Sequence, residues 1–228
     1  MSRTSSLPLL VAALGVAAGL TLAGCAPAAP GPVGTPGSSG DPALHPLGAG
    51  FLGSVTTPTP EATIDPEPGS WAGVEPPAGY EVVLITAGDD AATKTLADGV
   101  TRWAGQRDVV LTTLTATGDD EVQAQLLRAI DKAPDLIIGA GAGVVDVFSL
   151  ITAQSLHQQF LVVGAELPEP TGNATSVVWN GASFRGTGIS TDEDSVAASV
   201  TPARAADAVS AGVASVLHGL TGIVLHLG

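Results

Sequence analysis

From Tyr80 onward, apolar runs of strand length alternate with segments in which apolar residues recur every three or four positions. This alternation is typical of β–α–β units, which build a mainly parallel sheet covered by helices. The strand-like runs are apolar at nearly every position, which indicates that both faces of the sheet are covered. The pattern predicts strands at 81–86, 109–114, 135–139, 160–164, 176–180 and 222–227.

Segments with helical periodicity lie between these runs. Asp89 or Asp90 is placed to cap a first helix, and Asp119 to cap a second. A third helical segment runs from 144 to about 159, and Pro202 suits the first turn of a last helix. Together these elements predict an α/β fold, a Rossmann-like three-layer αβα sandwich with a mainly parallel sheet.

The first 24 residues have the pattern of an export signal. Arg3 precedes an uncharged apolar stretch, 7–22, which is short for a membrane-spanning helix. The stretch ends in Leu22-Ala23-Gly24-Cys25, which resembles the lipobox of bacterial lipoproteins. The resemblance implies a signal peptide over 1–24 and a diacylated Cys25 that anchors the chain to the extracytoplasmic face of the cell membrane. The alternatives are an ordinary cleaved signal with an incidental Cys25, or an uncleaved anchor.

The segment 25–79 is rich in Pro, Gly, Ser and Thr and shows neither helical nor strand periodicity; twelve of the chain's 17 prolines lie in it. Such a composition buries too little apolar surface to offset the entropy of ordering. It predicts a disordered tether between the lipid anchor and the domain at 80–228. A short apolar island at 44–55, which contains Phe51, is expected to belong to the tether rather than to dock. Trp71 and Tyr80 are expected to pack as a lid on the core.

Charge and cysteine content exclude several functions. The formal net charge is -14, with 8 Lys+Arg against 22 Asp+Glu, so nucleic-acid binding is not expected. A single cysteine excludes a disulfide framework and a cysteine-ligated zinc site. The four histidines are scattered, and no cluster of His, Asp and Glu has the spacing of metal ligands. The sequence also lacks a G-x-S-x-G elbow, H-E-x-x-H and a P-loop lysine. We therefore expect neither a metal, nor a cofactor, nor catalysis.

Four blocks of the domain stand in a recognisable order and spacing. They are Gly88-Asp89-Asp90; 135–141 (DLIIGAG) with Asp146; 159–163 (QFLVV) running on to 173–179 (NATSVVW); and 211–214 (AGVA) with 222–224 (GIV). In this order they resemble the basic membrane lipoprotein family, the type I periplasmic-binding-protein-like components of nucleoside ABC importers. The resemblance implies a nucleoside-like small-molecule solute and an ABC permease as partner.

The sequence departs from this family at positions that matter for a ligand. The family has a Phe-Asn after the acidic pair, where this chain has 91–94 (AATK), so the aromatic face for a nucleobase is missing. The family's fourth strand commonly ends in Asp, whereas this chain has Gly164, with Glu166 two residues on. Residues 181–201 resemble an insertion. Since family members have two lobes, the resemblance covers the N-terminal lobe alone and implies an incomplete ligand cleft.

The candidate ligand-binding residues follow the predicted strands. Carboxyl ends of parallel strands are where open α/β sheets place ligands, and there Asp89, Asp90, Asp146 and Glu166 would form an acidic rim that receives hydroxyls or a cation. Gly141 lies in a glycine-rich turn that could approach a ligand oxygen. The alternatives are that the carboxylates cap helices and that the turn is a tight crossover.

The sequence is consistent with two functions. The first is a membrane-anchored, extracytoplasmic, non-catalytic lipoprotein that captures or senses a solute. The second is a structural or partner-binding lipoprotein whose exposed inter-lobe face forms a protein interface or a homo-oligomer. A dinucleotide enzyme that uses the turn at 139–143 is disfavoured, because exported proteins rarely meet that cofactor.

Overall fold

The computed structural model describes residues 44–182 and 193–228, all within a compact unit that spans Pro42–Gly228. These residues form one seven-stranded sheet, and every strand pairs in parallel with its neighbours. The strands are β1 (Thr63–Ile64), β2 (Tyr80–Ala87), β3 (Val109–Ala116), β4 (Leu136–Ala140), β5 (Phe160–Val163), β6 (Ala174–Trp179) and β7 (Val224–Leu227). The helices are α1 (Ala91–Gly105), α2 (Asp119–Lys132), α3 (Val145–Ile151), α4 (Glu193–Ser199) and α5 (Pro202–Leu217).

The strand order is β1-β7-β6-β5-β4-β2-β3. Helices α1 and α5 pack on one face of the sheet over an apolar cluster that includes Leu84, Leu161 and Val209. Helices α2 and α3 cover a second cluster on the other face, which includes Ile85 and Phe148. The predicted fold class, an α/β three-layer sandwich with a parallel sheet, is therefore confirmed.

Two predicted helices differ in detail. Asp119 is the first residue of α2 rather than its cap, which is the extended Gly118. The third helix ends at Ile151 and continues as a 3₁₀ turn, Thr152–Gln154, instead of reaching 159. The reason lies in Asn173, whose Nδ2 donates to three carbonyl oxygens beyond that point and so replaces helical hydrogen bonds.

The predicted tether is wrong from residue 44 onward. Ile64 is fully buried in β1, which adds to the sheet through the pairing of Ile64 with Leu225. Phe51 is 2% exposed and belongs to the core, so the apolar island at 44–55 is docked rather than part of a tether. An extended segment pairs with the sheet through its backbone, so one or two buried side chains are enough to hold it in place. Such a segment needs no repeating apolar pattern, and the sequence therefore did not indicate that it is ordered. The signal peptide 1–24 and Cys25 lie outside the described residues.

Trp71 and Tyr80 both contact the core, as the sequence predicted: Tyr80 is buried and Trp71 is half-buried against the same cluster. Within the described residues, none of the helices has the length and apolar character needed to cross a membrane.

Candidate functional site

The sheet has a topological switch point between β2 and β4. The chain passes from β2 to β3 on one side, and then returns to β4 on the other side of β2. Ligands of open α/β sheets bind at the carboxyl ends of strands beside such a point. Here the loops that meet are 88–90 after β2 and 141–143 after β4. The predicted residues Asp89, Asp90 and Gly141 lie in these loops.

Asp90 is the N-cap of α1. Its Oδ1 accepts a hydrogen bond from the backbone N–H of Thr93 at 2.9 Å, and its Oδ2 accepts one from Thr93 Oγ1 at 2.6 Å. Partial burial acts to raise the pKa of Asp90, but these hydrogen bonds, together with one from the Ala92 N–H, outweigh it and leave the pKa lowered. Asp90 is therefore ionised at neutral pH and engaged in ordering the first turn of α1.

Gly141 closes the switch point from the β4 side. Its φ is +81°, and a Cβ there would be 3.2 Å from Thr93 Oγ1. Thr93 thus joins the turn after β4 to the cap of α1. Gly139, two residues earlier, has no room for a side chain, because a Cβ would be 2.8 Å from Val144 Cγ2. That packing favours the interpretation of 139–143 as a tight crossover.

A groove at this edge lies one strand further out, between the first turns of α1 and the carboxyl half of β3. It encloses about 630 Å³ and is open to solvent. Its floor carries Thr113 and Thr115 on one face of β3, and Ala97 forms part of its α1 side. We call it the α1–β3 groove. Its lining residues are Thr86, Gly88, Asp89, Thr93, Lys94, Ala97, Thr113, Thr115, Ala116, Thr117 and Glu121.

Two carboxylates line the α1–β3 groove. Glu121, in the first turn of α2, accepts hydrogen bonds from the Thr117 N–H at 2.8 Å and from Thr117 Oγ1 at 2.9 Å. These bonds lower the pKa of Glu121, so it is ionised at neutral pH. Asp89 is fully exposed, and its Oδ2 lies 3.9 Å from Lys94 Nζ. The groove therefore offers two acceptor groups and one ammonium donor along a row of hydroxyls.

The other two predicted residues lie away from the groove. Asp146 is exposed in the first turn of α3, and Glu166 is 5% exposed in the loop after β5. Asp89 thus lines the groove, Asp90 and Gly141 border it through Thr93, and Asp146 and Glu166 occupy other parts of the carboxyl edge.

Sequence reasoning missed the part of the groove that β3 and α2 supply. Thr113 and Thr115 follow Val109 and Leu111 on one face of β3, and this change from apolar to polar residues along a single face was the available signal. Glu121 follows them in the acidic first turn of α2.

The lining of the α1–β3 groove is rich in groups that form hydrogen bonds. It contains no His, Cys or Ser, and two of its threonine hydroxyls, on Thr93 and Thr117, donate to the carboxylates of Asp90 and Glu121. A second cavity, at the ends of β6 and β7 beside Trp71 and Trp179, is about 70 Å³ and too small for a solute. No group of three or more candidate metal ligands comes together in the described ranges.

No family model and no curated protein matches this chain. Solved structures do resemble it. One is an ABC transporter solute-binding protein from Aeropyrum pernix K1, 17% identical, with a TM-score of 0.40, over 44% of this chain and 29% of that one. Another is an ABC transporter solute-binding protein from Conexibacter woesei DSM 14684, 14% identical, with a TM-score of 0.37, over 44% and 35%.

A third similar structure is a fragment from Peptoclostridium difficile 630 that is named, provisionally, as a lipoprotein. It is 13% identical, with a TM-score of 0.44, and the match covers 62% of this chain and 98% of the fragment. The match spans about a third of the length of the two solute-binding proteins. None of the three is named as a basic membrane lipoprotein, so that resemblance stays a prediction.

Proposed function

We propose that this chain is a non-catalytic, solute-binding lipoprotein held at the extracytoplasmic face of the membrane, and that its solute binds in the α1–β3 groove. One observation carries the proposal: a groove of about 630 Å³ lies at the carboxyl edge of a parallel sheet and is lined by hydroxyls and two carboxylates. Its volume falls in the range of small-molecule sites, roughly 300–1,000 Å³.

The groove favours a polyhydroxylated solute. Carboxylates accept hydrogen bonds from hydroxyl groups, and threonine hydroxyls both donate and accept. Asp89 and Glu121 would receive hydroxyls of the solute, while Thr113 and Thr115 lie along the floor between them. No aromatic residue lines the groove, so a nucleobase would have no stacking partner. A nucleoside-like solute would be held through its ribose, and a free sugar would serve equally well.

The location and the transport partner are parts of the same proposal. Cys25 would carry two acyl chains, which is the number needed for stable anchoring. The residues between Cys25 and residue 44 would then join the membrane to the α/β unit. An ABC permease would be the partner if the captured solute is imported.

Thermal unfolding of the Pro42–Gly228 unit tests the solute-binding role. The protein would be heated alone and with nucleosides, pentoses, hexoses and polyols. A ligand at a hundredfold excess over its Kd adds about 2.7 kcal/mol to the free energy of unfolding, and so raises Tm. Glu121→Gln and Thr115→Val should each weaken the binding of an active solute about tenfold, by loss of one hydrogen bond to it. Asp146→Asn, outside the groove, is the matched control.

An unchanged Tm with every compound, in a chain that unfolds cooperatively, would contradict the solute-binding role. Equal weakening by Asp146→Asn would place the solute elsewhere. Membrane fractionation of the full-length protein tests the anchor: Cys25→Ser should move the protein out of the membrane fraction, and retention there would contradict lipidation.

One observation, the open edge of β3, favours the alternative role of partner binding.

A further inference from the structure

The two edges of the sheet are built differently. One edge is β1, which has two residues and is flanked by Pro58, Pro60, Pro66 and Pro68. Proline has no N–H to donate, so this edge offers little to another strand. The other edge is β3, eight residues long, which pairs with β2 alone among the described strands. Among the residues that the structure describes, one edge is thus blocked and the longer one is open.

β3 lacks the features that keep an edge strand from pairing. Its sequence, VVLTTLTA, has no charge and no proline, and it is rich in residues that favour strands. Val110 is 54% exposed on this edge. Because side chains alternate between faces, Val110, Thr112 and Leu114 share the face that α2 covers only in part. An open row of backbone groups therefore lies beside an exposed apolar side chain.

We propose that β3 pairs in antiparallel fashion with β3 of a second copy of this chain, so that two sheets join into one. A strand that pairs with itself about a two-fold axis forms a closed interface in which both copies use the same residues. With the axis at Thr112, Val110 of each copy lies opposite Leu114 of the other. Cross-strand neighbours on one face have Cβ atoms about 4.5–5.5 Å apart, so each Leu114 covers the exposed Val110.

The charges at the two ends of β3 favour this antiparallel arrangement. The acidic first turn of α2 (119–121) lies at the carboxyl end of β3. The last turn of α1, with Arg102, and the last turn of α2, with Asp131 and Lys132, lie at the amino end, together with Asp108. Antiparallel pairing sets the acidic turn of one copy, with its three carboxylates, beside helix ends of the other copy in which cations offset the carboxylates. In a chain with a formal net charge of -14, a parallel arrangement would instead bring the two acidic turns together.

Sedimentation equilibrium of the Pro42–Gly228 unit over a range of concentrations, without any solute, measures the association directly, so its outcome is independent of the proposed solute. We expect a monomer–dimer equilibrium. Val110→Lys should raise the dimer Kd at least tenfold, because the two-fold axis would place a charged lysine opposite the apolar Leu114 at two points of the interface. Leu150→Lys is the matched control, since Leu150 is 68% exposed on α3, away from β3. Circular dichroism and cooperative unfolding verify that each variant is folded.

Cysteine cross-linking tests the register without altering the edge. The Pro42–Gly228 unit contains no cysteine, so a unit that carries the single substitution Thr112→Cys can form a disulfide only with the same position of a second copy. At the two-fold axis the Cα atoms are about 4.5–5.5 Å apart, within the reach of a disulfide. Thr113→Cys faces the opposite side and lies about 7–8 Å from its equivalent on the diagonal. Mild oxidation should therefore cross-link Thr112→Cys efficiently and Thr113→Cys poorly.

A dimer that Val110→Lys dissociates, with preferential cross-linking of Thr112→Cys, supports the proposal. A chain that remains monomeric up to its solubility limit overturns it and leaves the edge to a different protein. A dimer that survives Val110→Lys, or one that Leu150→Lys dissociates equally, also overturns it, because the interface would then lie elsewhere. Cross-linking that is equal at 112 and 113 overturns the register and shows random collision.

Discussion

Gly99 of α1 lies directly against Ala205 of α5. A Cβ built on Gly99 would be 2.8 Å from the Cβ of Ala205 and 3.3 Å from its carbonyl carbon. Real Cβ atoms do not approach so closely, and the Ala205 methyl has no flexible end that could move aside. The two helices that cover one face of the sheet therefore depend on the missing side chain at 99, even though glycine weakens the middle of a helix by roughly 0.5–1 kcal/mol.

Gly99→Ala should lower the free energy of unfolding by about 1 kcal/mol, because overpacking costs about 1–3 kcal/mol and the gain in helix propensity offsets part of it. Gly105→Ala is the matched control: it lies in the same helix, and nothing stands within 4 Å of its Cβ position. That change should be neutral or stabilising by up to about 1 kcal/mol. Urea unfolding measures both. Equal effects of the two substitutions would contradict a close α1–α5 contact.

The cap of α1 predicts a pH-dependent stability. Asp90→Ala should lower the free energy of unfolding by about 1 kcal/mol at neutral pH. The pKa of Asp90 is lower in the folded chain, so the ionised cap contributes above the ordinary aspartate pKa of about 3.9, and the contribution is lost as pH falls through the folded value. The difference in free energy of unfolding between wild type and Asp90→Ala should therefore shrink as the pH is lowered below the ordinary aspartate pKa.

Asp89→Ala is the control for that cap, since the Asp89 carboxylate is fully exposed and lies 3.9 Å from Lys94. It should change stability by no more than about 0.5 kcal/mol. A gap between wild type and Asp90→Ala that stays constant from neutral to acidic pH would show that charge has no part in the cap.

Ile64 tests whether the segment before residue 80 belongs to the fold. Ile64→Ala should cost about 2–5 kcal/mol, because the side chain is fully buried and its loss leaves a cavity. Thr63→Ala, in the same strand but exposed, should stay within about 0.5 kcal/mol. Equilibrium unfolding in urea compares the two. If Ile64→Ala unfolds like wild type, β1 does not hold to β7 in solution.

The strands of the core could be predicted because burial on both faces leaves an unbroken apolar run. Phe160–Val163 and Leu136–Ala140 are fully buried, and both were found within one residue of their ends. β1 could not be predicted in the same way. It has two residues among prolines, and its place depends on β7, which is distant along the chain.

The candidate site, too, could be predicted only in part from the sequence. Asp89 and Asp90 could be predicted, because they directly follow a recognisable strand at the edge where such sheets bind ligands. Thr115 and Glu121 belong to the next strand and the next helix, and their approach to α1 follows from the pairing of β2 with β3 rather than from any local motif. Asp146 lies on another part of the carboxyl edge, outside the α1–β3 groove. Its position after a strand does not specify the direction of the helix that follows, so the sequence could not show this.

Tyr80 offers a spectroscopic test of the core, because it is the chain's single tyrosine. Burial raises its pKa, and the nearby charge of Asp135 raises it further. In the unfolded chain the phenol ionises at about pH 10, so above that pH the unfolded state binds fewer protons than the folded state and the free energy of unfolding falls. In an alkaline titration, phenolate absorbance should appear only as the circular dichroism signal of the fold is lost. The same titration of the chain unfolded in urea gives the ordinary pKa of the phenol. Tyr80→Phe gives the absorbance that comes from tryptophan alone. Reversible ionisation near pH 10 with the fold intact would mean that Tyr80 is open to water and that the segment before it does not seal the core.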